Sequence, residues 1–159
     1  SQKAFREPNG NYFAGVSVPP GNTVLRKVDD LGNLVFNVNV GSGNSYVTEP
    51  VVIGNEVYIG SGDNPSGPGQ PNEIYRIYKF DKNTGVEITN LKPRAAVGGF
   101  DYSSIKGLKE NPTTGELVVT DHSWRGFLGG AFQDGVAIIN PTTMTVSRSR
   151  RWASNGGGG

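Results

Sequence analysis

The chain has 159 residues, a net charge of +1 and 18% charged residues. That length supports one domain with its own core, and the near-balanced charge excludes a nucleic-acid face or a polybasic membrane patch as its main business. The absence of cysteine excludes a disulfide scaffold, a zinc–thiolate site and cysteine catalysis.

In chain order, Ser1-Gln2-Lys3-Ala4-Phe5 lacks the apolar stretch of a signal peptide, and residues 1–11 read as an N-terminal extension. Short β-branched and aromatic runs then predict strands over 12–18, 24–29, 34–38, 51–53 and 57–61. The series continues with 74–80, 86–89, 104–108, 117–121, 136–139 and 146–152. No window keeps a helical spacing, and no apolar run approaches the length of a membrane span. The 24 glycines fall mostly between these runs. Asp30-Leu31-Gly32-Asn33, Gly54-Asn55, Lys82-Asn83-Thr84-Gly85 and Pro112-Thr113-Thr114-Gly115 are tight-turn sequences. Two stretches interrupt the rhythm as inserted loops, 62–72 and 122–135. Residues 153–159 form a glycine-rich tail.

The pattern repeats. Lys27-Val28-Asp29 returns as Lys79-Phe80-Asp81 and, more weakly, as Ile138-Ile139-Asn140. A run ending Val57-Tyr58-Ile59-Gly60 returns in phase as Leu117-Val118-Val119-Thr120, and Tyr12-Phe13-Ala14-Gly15 is the tail of an earlier copy. Four short strands per unit predict an all-β chain of β-propeller blades over 12–152, about two and a half to three of them. A ring of that kind is incomplete, or is closed by oligomerisation.

At these residues the chain resembles known propeller repeats. Val47-Thr48-Glu49-Pro50-Val51-Val52-Ile53-Gly54-Asn55-Glu56-Val57-Tyr58-Ile59-Gly60, followed by Tyr78-Lys79-Phe80-Asp81-Lys82-Asn83-Thr84-Gly85, is similar to the quinoprotein-type repeat. Ile105-Lys106-Gly107-Leu108 with Thr114-Gly115-Glu116-Leu117-Val118-Val119 resembles NHL and lactonase-type repeats, and Val136-Ala137-Ile138-Ile139-Asn140-Pro141 resembles the YVTN repeat. The resemblance implies blade architecture and leaves activity open. Quinoprotein blades carry a docking tryptophan where this chain has Phe36 and Ile88, so no quinone cofactor is implied.

Among chemistry-bearing residues, Thr120-Asp121-His122-Ser123-Trp124-Arg125 holds the one histidine. Adjacent residues on a strand do not assemble a catalytic triad, so His122, Trp124 and Arg125, with Asp101 and Tyr102, are expected to bind a ligand or partner. Asp63, Asn64 and Glu73 offer an oxygen-rich loop for calcium. Asp29 and Asp81 read as turn caps, and the arginines at 148, 150 and 151 as the solvent side of a strand. The functional expectation is a non-enzymatic structural or interaction module of an extracellular, cell-surface or virion assembly. Its partners are other chains of that assembly, with a glycan as a further candidate, and no nucleic acid and no membrane insertion. The alternatives are a fragment of a quinoprotein dehydrogenase or lactonase-like hydrolase, and an oligomeric carbohydrate-binding propeller.

Overall fold

Period-two alternation and Asx-capped turns leave these segments one economical solution, the antiparallel meander. A computed structural model describes the backbone of residues 2–18, 22–41, 46–63, 74–95, 101–125 and 131–153. It is all-β over those residues. The first sheet runs β1 (Gln2–Arg6), β2 (Tyr12–Val18), β3 (Asn22–Val28) and β4 (Leu34–Asn39), each antiparallel to the next. The second meander is β5 (Val51–Ile53), β6 (Glu56–Asp63), β7 (Ile74–Asp81) and β8 (Glu87–Leu91). The third is β9 (Asp101–Glu110), β10 (Leu117–Arg125), β11 (Ala131–Asn140) and β12 (Thr145–Ala153). A parallel pairing at Ile74 and Ser103 joins the second and third meanders into one mixed eight-stranded sheet. No sheet closes on itself among the described residues.

The three meanders share a plan. In each, the register between third and fourth strands shifts at one place: Lys27/Val28, Lys79/Phe80 and Ile138/Ile139. The turn that follows is capped by an Asx side chain. Asp29 Oδ1 accepts from the backbone N–H of Leu31 and Asn33, Asp81 Oδ1 from Asn83 and Thr84, and Asn140 Oδ1 from Thr142 and Thr143. The same turns contain a residue with positive φ, Gly32 and Gly85 and then Met144 at 52°.

The meanders stack face on face, and two cores lie between them. Phe13, Leu25 and Val40 of the first pack against Val57, Ile59, Tyr78 and Phe80 of the second. Tyr58, Tyr75 and Ile77 on the second meander's other face pack against Leu117, Val119, Ala137 and Ile139 of the third. Each sheet thus has a leading face, turned to its predecessor, and a trailing face, turned to its successor.

Glycine sets the spacing at both contacts. A Cβ on Gly15 would lie 2.7 Å from Val47 Cγ2 and 2.8 Å from Ile59 Cδ1, and one on Gly60 would lie 2.6 Å from Ile105 Cδ1. Lysine adds a polar tie. Lys27 is 6% exposed, lies over the Phe13 ring and donates to the Lys82 carbonyl of the next meander's turn at 2.8 Å. Lys79 is 7% exposed, lies over Tyr58 and donates to the Pro141 carbonyl at 2.8 Å. Lys82 in turn pairs with the buried Glu7 at 2.9 Å.

Several expectations change. The stretch read as an N-terminal extension contains β1, whose Phe5 packs on the first core. It carries no β-branched residue, so it gave no strand signal. The stretch 122–135, read as an inserted loop, prolongs β10 to Arg125 and begins β11 at Ala131. Arg151 is not on the solvent side with Arg148 and Arg150. Strand alternation turns it to the other face, where it binds Asp121 and Ser123.

Candidate functional site

Two places concentrate polar and aromatic chemistry. The first is the trailing face of the third meander, which no further sheet among the described residues covers. Register lays its residues in ranks across β9, β10, β11 and β12. Tyr102, Trp124 and Phe132 form one rank; Ser104, His122, Asp134 and Trp152 form the next. Gly107, Thr120, Val136 and Arg150 follow, then Lys109, Val118, Ile138 and Arg148. His122 Nδ1 lies 2.8 Å from Asp134 Oδ1, and the imidazole stacks on Phe132 with centroids 5.4 Å apart. Val118, Val136 and Ile138 are half-buried and Thr120 is exposed. Their counterparts on the second meander's trailing face, Tyr58, Ile77, Lys79 and Gly60, are buried by the third meander. Aromatic rings beside arginines, with half-covered aliphatics behind them, are the composition of protein contact surfaces.

The second place is on the leading face of the same meander. Asp121, with its side chain 2% exposed, accepts at Oδ2 from the Tyr75 hydroxyl at 2.6 Å and from Arg151 at 2.5 Å. Arg151 also donates to Ser123 Oγ. Burial first, then the Asp121 charge, pushes the Tyr75 hydroxyl far above its ordinary pKa. Gly135 makes room for the pair, since a Cβ there would lie 2.6 Å from Asp121 Oδ1 and 2.9 Å from Arg151. Arg94 lies on the cleft of about 340 Å³ beside this network and donates to Ser103 Oγ. A buried carboxylate matched by one guanidinium and one phenol is a tie between the second and third meanders. In the sequence Asp121 and Ser123 stand out only as neighbours of His122, and Arg151 only as one of three arginines; the pairing of Asp121 with Gly135 and of Gly135 with Arg151 is visible only in register.

The residues expected to bind a partner come together at one end of β9 and β10. Tyr102 is opposite Trp124, Asp101 opposite Arg125, and His122 follows Trp124 on the same face. The side chains of Asp101, Tyr102 and Arg125 lie outside the described residues. Alternation separates Asp121 and Ser123, on the leading face, from His122, on the trailing one, so these three form no triad. Of the calcium residues, Asp63 ends β6 but its side chain, like Asn64 and Glu73, lies outside the described residues. Among the described residues no cluster of three carboxylates or histidines is placed to hold a metal. Tyr58, Tyr75 and Tyr78 are core. A scan of the chain against protein-family models finds no match, and neither does a search of curated proteins.

Proposed function

We propose that the chain is a stack of β-propeller-type blades working as a non-enzymatic interaction module of an extracellular or surface assembly, through the uncovered trailing face of β9–β12. One observation carries this reading: the face holds Trp124, Phe132, Trp152 and the His122–Asp134 pair, and among the described residues no further sheet packs over it. The common plan of the three meanders supports the blade reading, and the placing of Asp121 and Ser123 on the face opposite His122 leaves no triad in this run among the described residues, which favours binding over hydrolysis.

The test offers the immobilised chain to the proteins of its native surface assembly one at a time. The expected result is a partner whose binding weakens by about tenfold or more with Trp124→Ala and is unchanged by Glu87→Ala on β8. Turnover of lactone or ester probes by the purified chain would contradict the reading. A glycan ligand is the second reading, favoured by the single rank of Tyr102, Trp124 and Phe132. It expects hits on a glycan array that both Trp124→Ala and Tyr102→Ala abolish.

A further inference from the structure

We infer that the cleft between the second and third meanders binds a small monocarboxylate with an apolar body, held by Arg94 and Arg151. The cleft is on the leading face of β9–β12, so the inference is independent of the contact surface proposed above for the other face.

Register brings the two arginines together. Ser103 of β9 is directly opposite Ser123 of β10, and the two serines are buried, at 3% and 1% exposure. Cross-strand partners of this kind have Cβ atoms roughly 5 Å apart. Each serine anchors one guanidinium group. Arg94 Nε donates to Ser103 Oγ at 3.0 Å, and Arg151 Nη1 donates to Ser123 Oγ at 3.2 Å. The arginines come from separate segments, one from the stretch after β8 and the other from β12, yet their head groups are held as neighbours. Like charges repel at such a spacing, and an anion between them turns the repulsion into attraction.

The anchors also fix orientation. Arg94 Nη1 donates to the Ala95 carbonyl at 3.0 Å, and Arg151 Nη2 donates to Asp121 Oδ2. Arg151 thereby uses two of its five N–H donors within the protein and keeps three, with its side chain 21% exposed. Both arginines line the cleft of about 340 Å³. A guanidinium fixed from behind by a carboxylate and a hydroxyl loses little freedom on meeting a ligand, so most of the new bond appears as affinity.

The rest of the lining selects the ligand. Among the described residues Asp121 is the one carboxylate on the cleft, where it lies with Tyr75 at the buried floor. Burial keeps the Tyr75 hydroxyl protonated, so it adds no second negative charge there. A floor that already holds a carboxylate favours a monoanion over a dianion such as phosphate. Pro93, Ala95 and Ala137 supply apolar wall, and Ser149 supplies a hydroxyl. That volume and lining suit a carboxylate on a body the size of one aromatic ring better than a bare ion.

Calorimetric titration of the whole chain with benzoate at low salt tests the inference. Saturable binding is expected, weakened by about tenfold or more in Arg94→Gln, which removes a charged donor. Arg150→Gln, on the opposite face of β12, is expected to leave binding unchanged. Arg94 lies outside the strands, and unchanged circular dichroism of its variant is the check on folding. Ser149→Tyr, which fills the cleft from β12 and leaves both arginines in place, is expected to abolish binding and keeps the test decisive if Arg94→Gln misfolds. Benzamide, the uncharged analogue, is expected to bind about tenfold or more weakly than benzoate. Absence of saturable benzoate binding at millimolar concentration overturns the inference. So does benzamide binding as tight as that of benzoate, phosphate binding tighter than that of benzoate, or a folded Arg94→Gln that binds benzoate as the wild type does.

Discussion

Single residues tie the sheets together, and lysine does so in an unusual setting. An ammonium group buried between sheets is tolerated because it finds a carbonyl acceptor and an aromatic face at once. Lys79→Met, which keeps the stem but removes the donor, is expected to cost about 1–3 kcal/mol in urea unfolding, because the Pro141 carbonyl loses its charged partner. The turn caps give the fold a titrating element. Hydrogen bonds from the Asn33 backbone and side chain hold Asp29 below the ordinary carboxylate pKa, and those from Thr84 and Asn83 do the same for Asp81. A depressed folded-state pKa means stability that is complete above the unfolded value and is lost as pH falls through the folded one. Acid titration of stability is therefore expected to show a loss beginning near pH 3.8, the unfolded value, and the double variant Asp29→Asn, Asp81→Asn is expected to flatten it. The third cap, Asn140, already has that chemistry. At the alkaline end, burial and then Glu56 push Tyr58 up to about 12. A raised pKa contributes stability that is complete below the unfolded value near 10 and is lost as pH rises through the folded one, so unfolding is expected to ease above pH 10.

At the scale of the element, the hairpin turns were the most legible part of the sequence, because an Asx residue followed by a glycine carries its own hydrogen bonds and its own φ. The third copy departs, and Met144 shows why the departure is tolerated. It sits at positive φ, a strained place for a side chain, yet it is buried in the second core. Relief of the backbone by Met144→Gly is worth about 1 kcal/mol, whereas loss of a buried methionine costs about 2–5 kcal/mol. Net destabilisation by calorimetry is expected. The ends of elements were less legible. The third-meander hairpin runs past His122 because Ser123 and Gln133 still face inward there while His122, Trp124 and Phe132 face outward, an alternation that its many glycines concealed. The candidate site was legible as a set of residue types near Trp124. Its unity was not, since Tyr102 and Trp124 meet only through the register of β9 and β10. The lysine ties had a signal in the sequence, a lysine two residues before Asp29 and Asp81, but nothing there says that the amine crosses to the next sheet.

For the whole molecule, order in the stack decides stability. Among the described residues, the second meander is covered on both faces and the outer two on one face each. Amide exchange is therefore expected to be slowest in β6 and β7 and fastest in the outer strands β4, β8 and β12, whose residues are mostly exposed. The internal repeat was readable from the spacing of Asp29, Asp81 and Asn140. The direction of stacking was not, because leading and trailing faces differ only in which of two alternating residues carries the glycine and the lysine. The central claim is that the trailing face of β9–β12 is the contact surface proposed above. Oxidative footprinting of the chain alone and then with the proteins of its native surface assembly, one at a time, tests it most directly. The account predicts a partner that lowers labelling at Trp124 and Trp152, on that face, and leaves it constant at Leu31, which is 82% exposed in a turn. A bound partner that leaves Trp124 and Trp152 labelled as in the free chain while Leu31 becomes protected would contradict it.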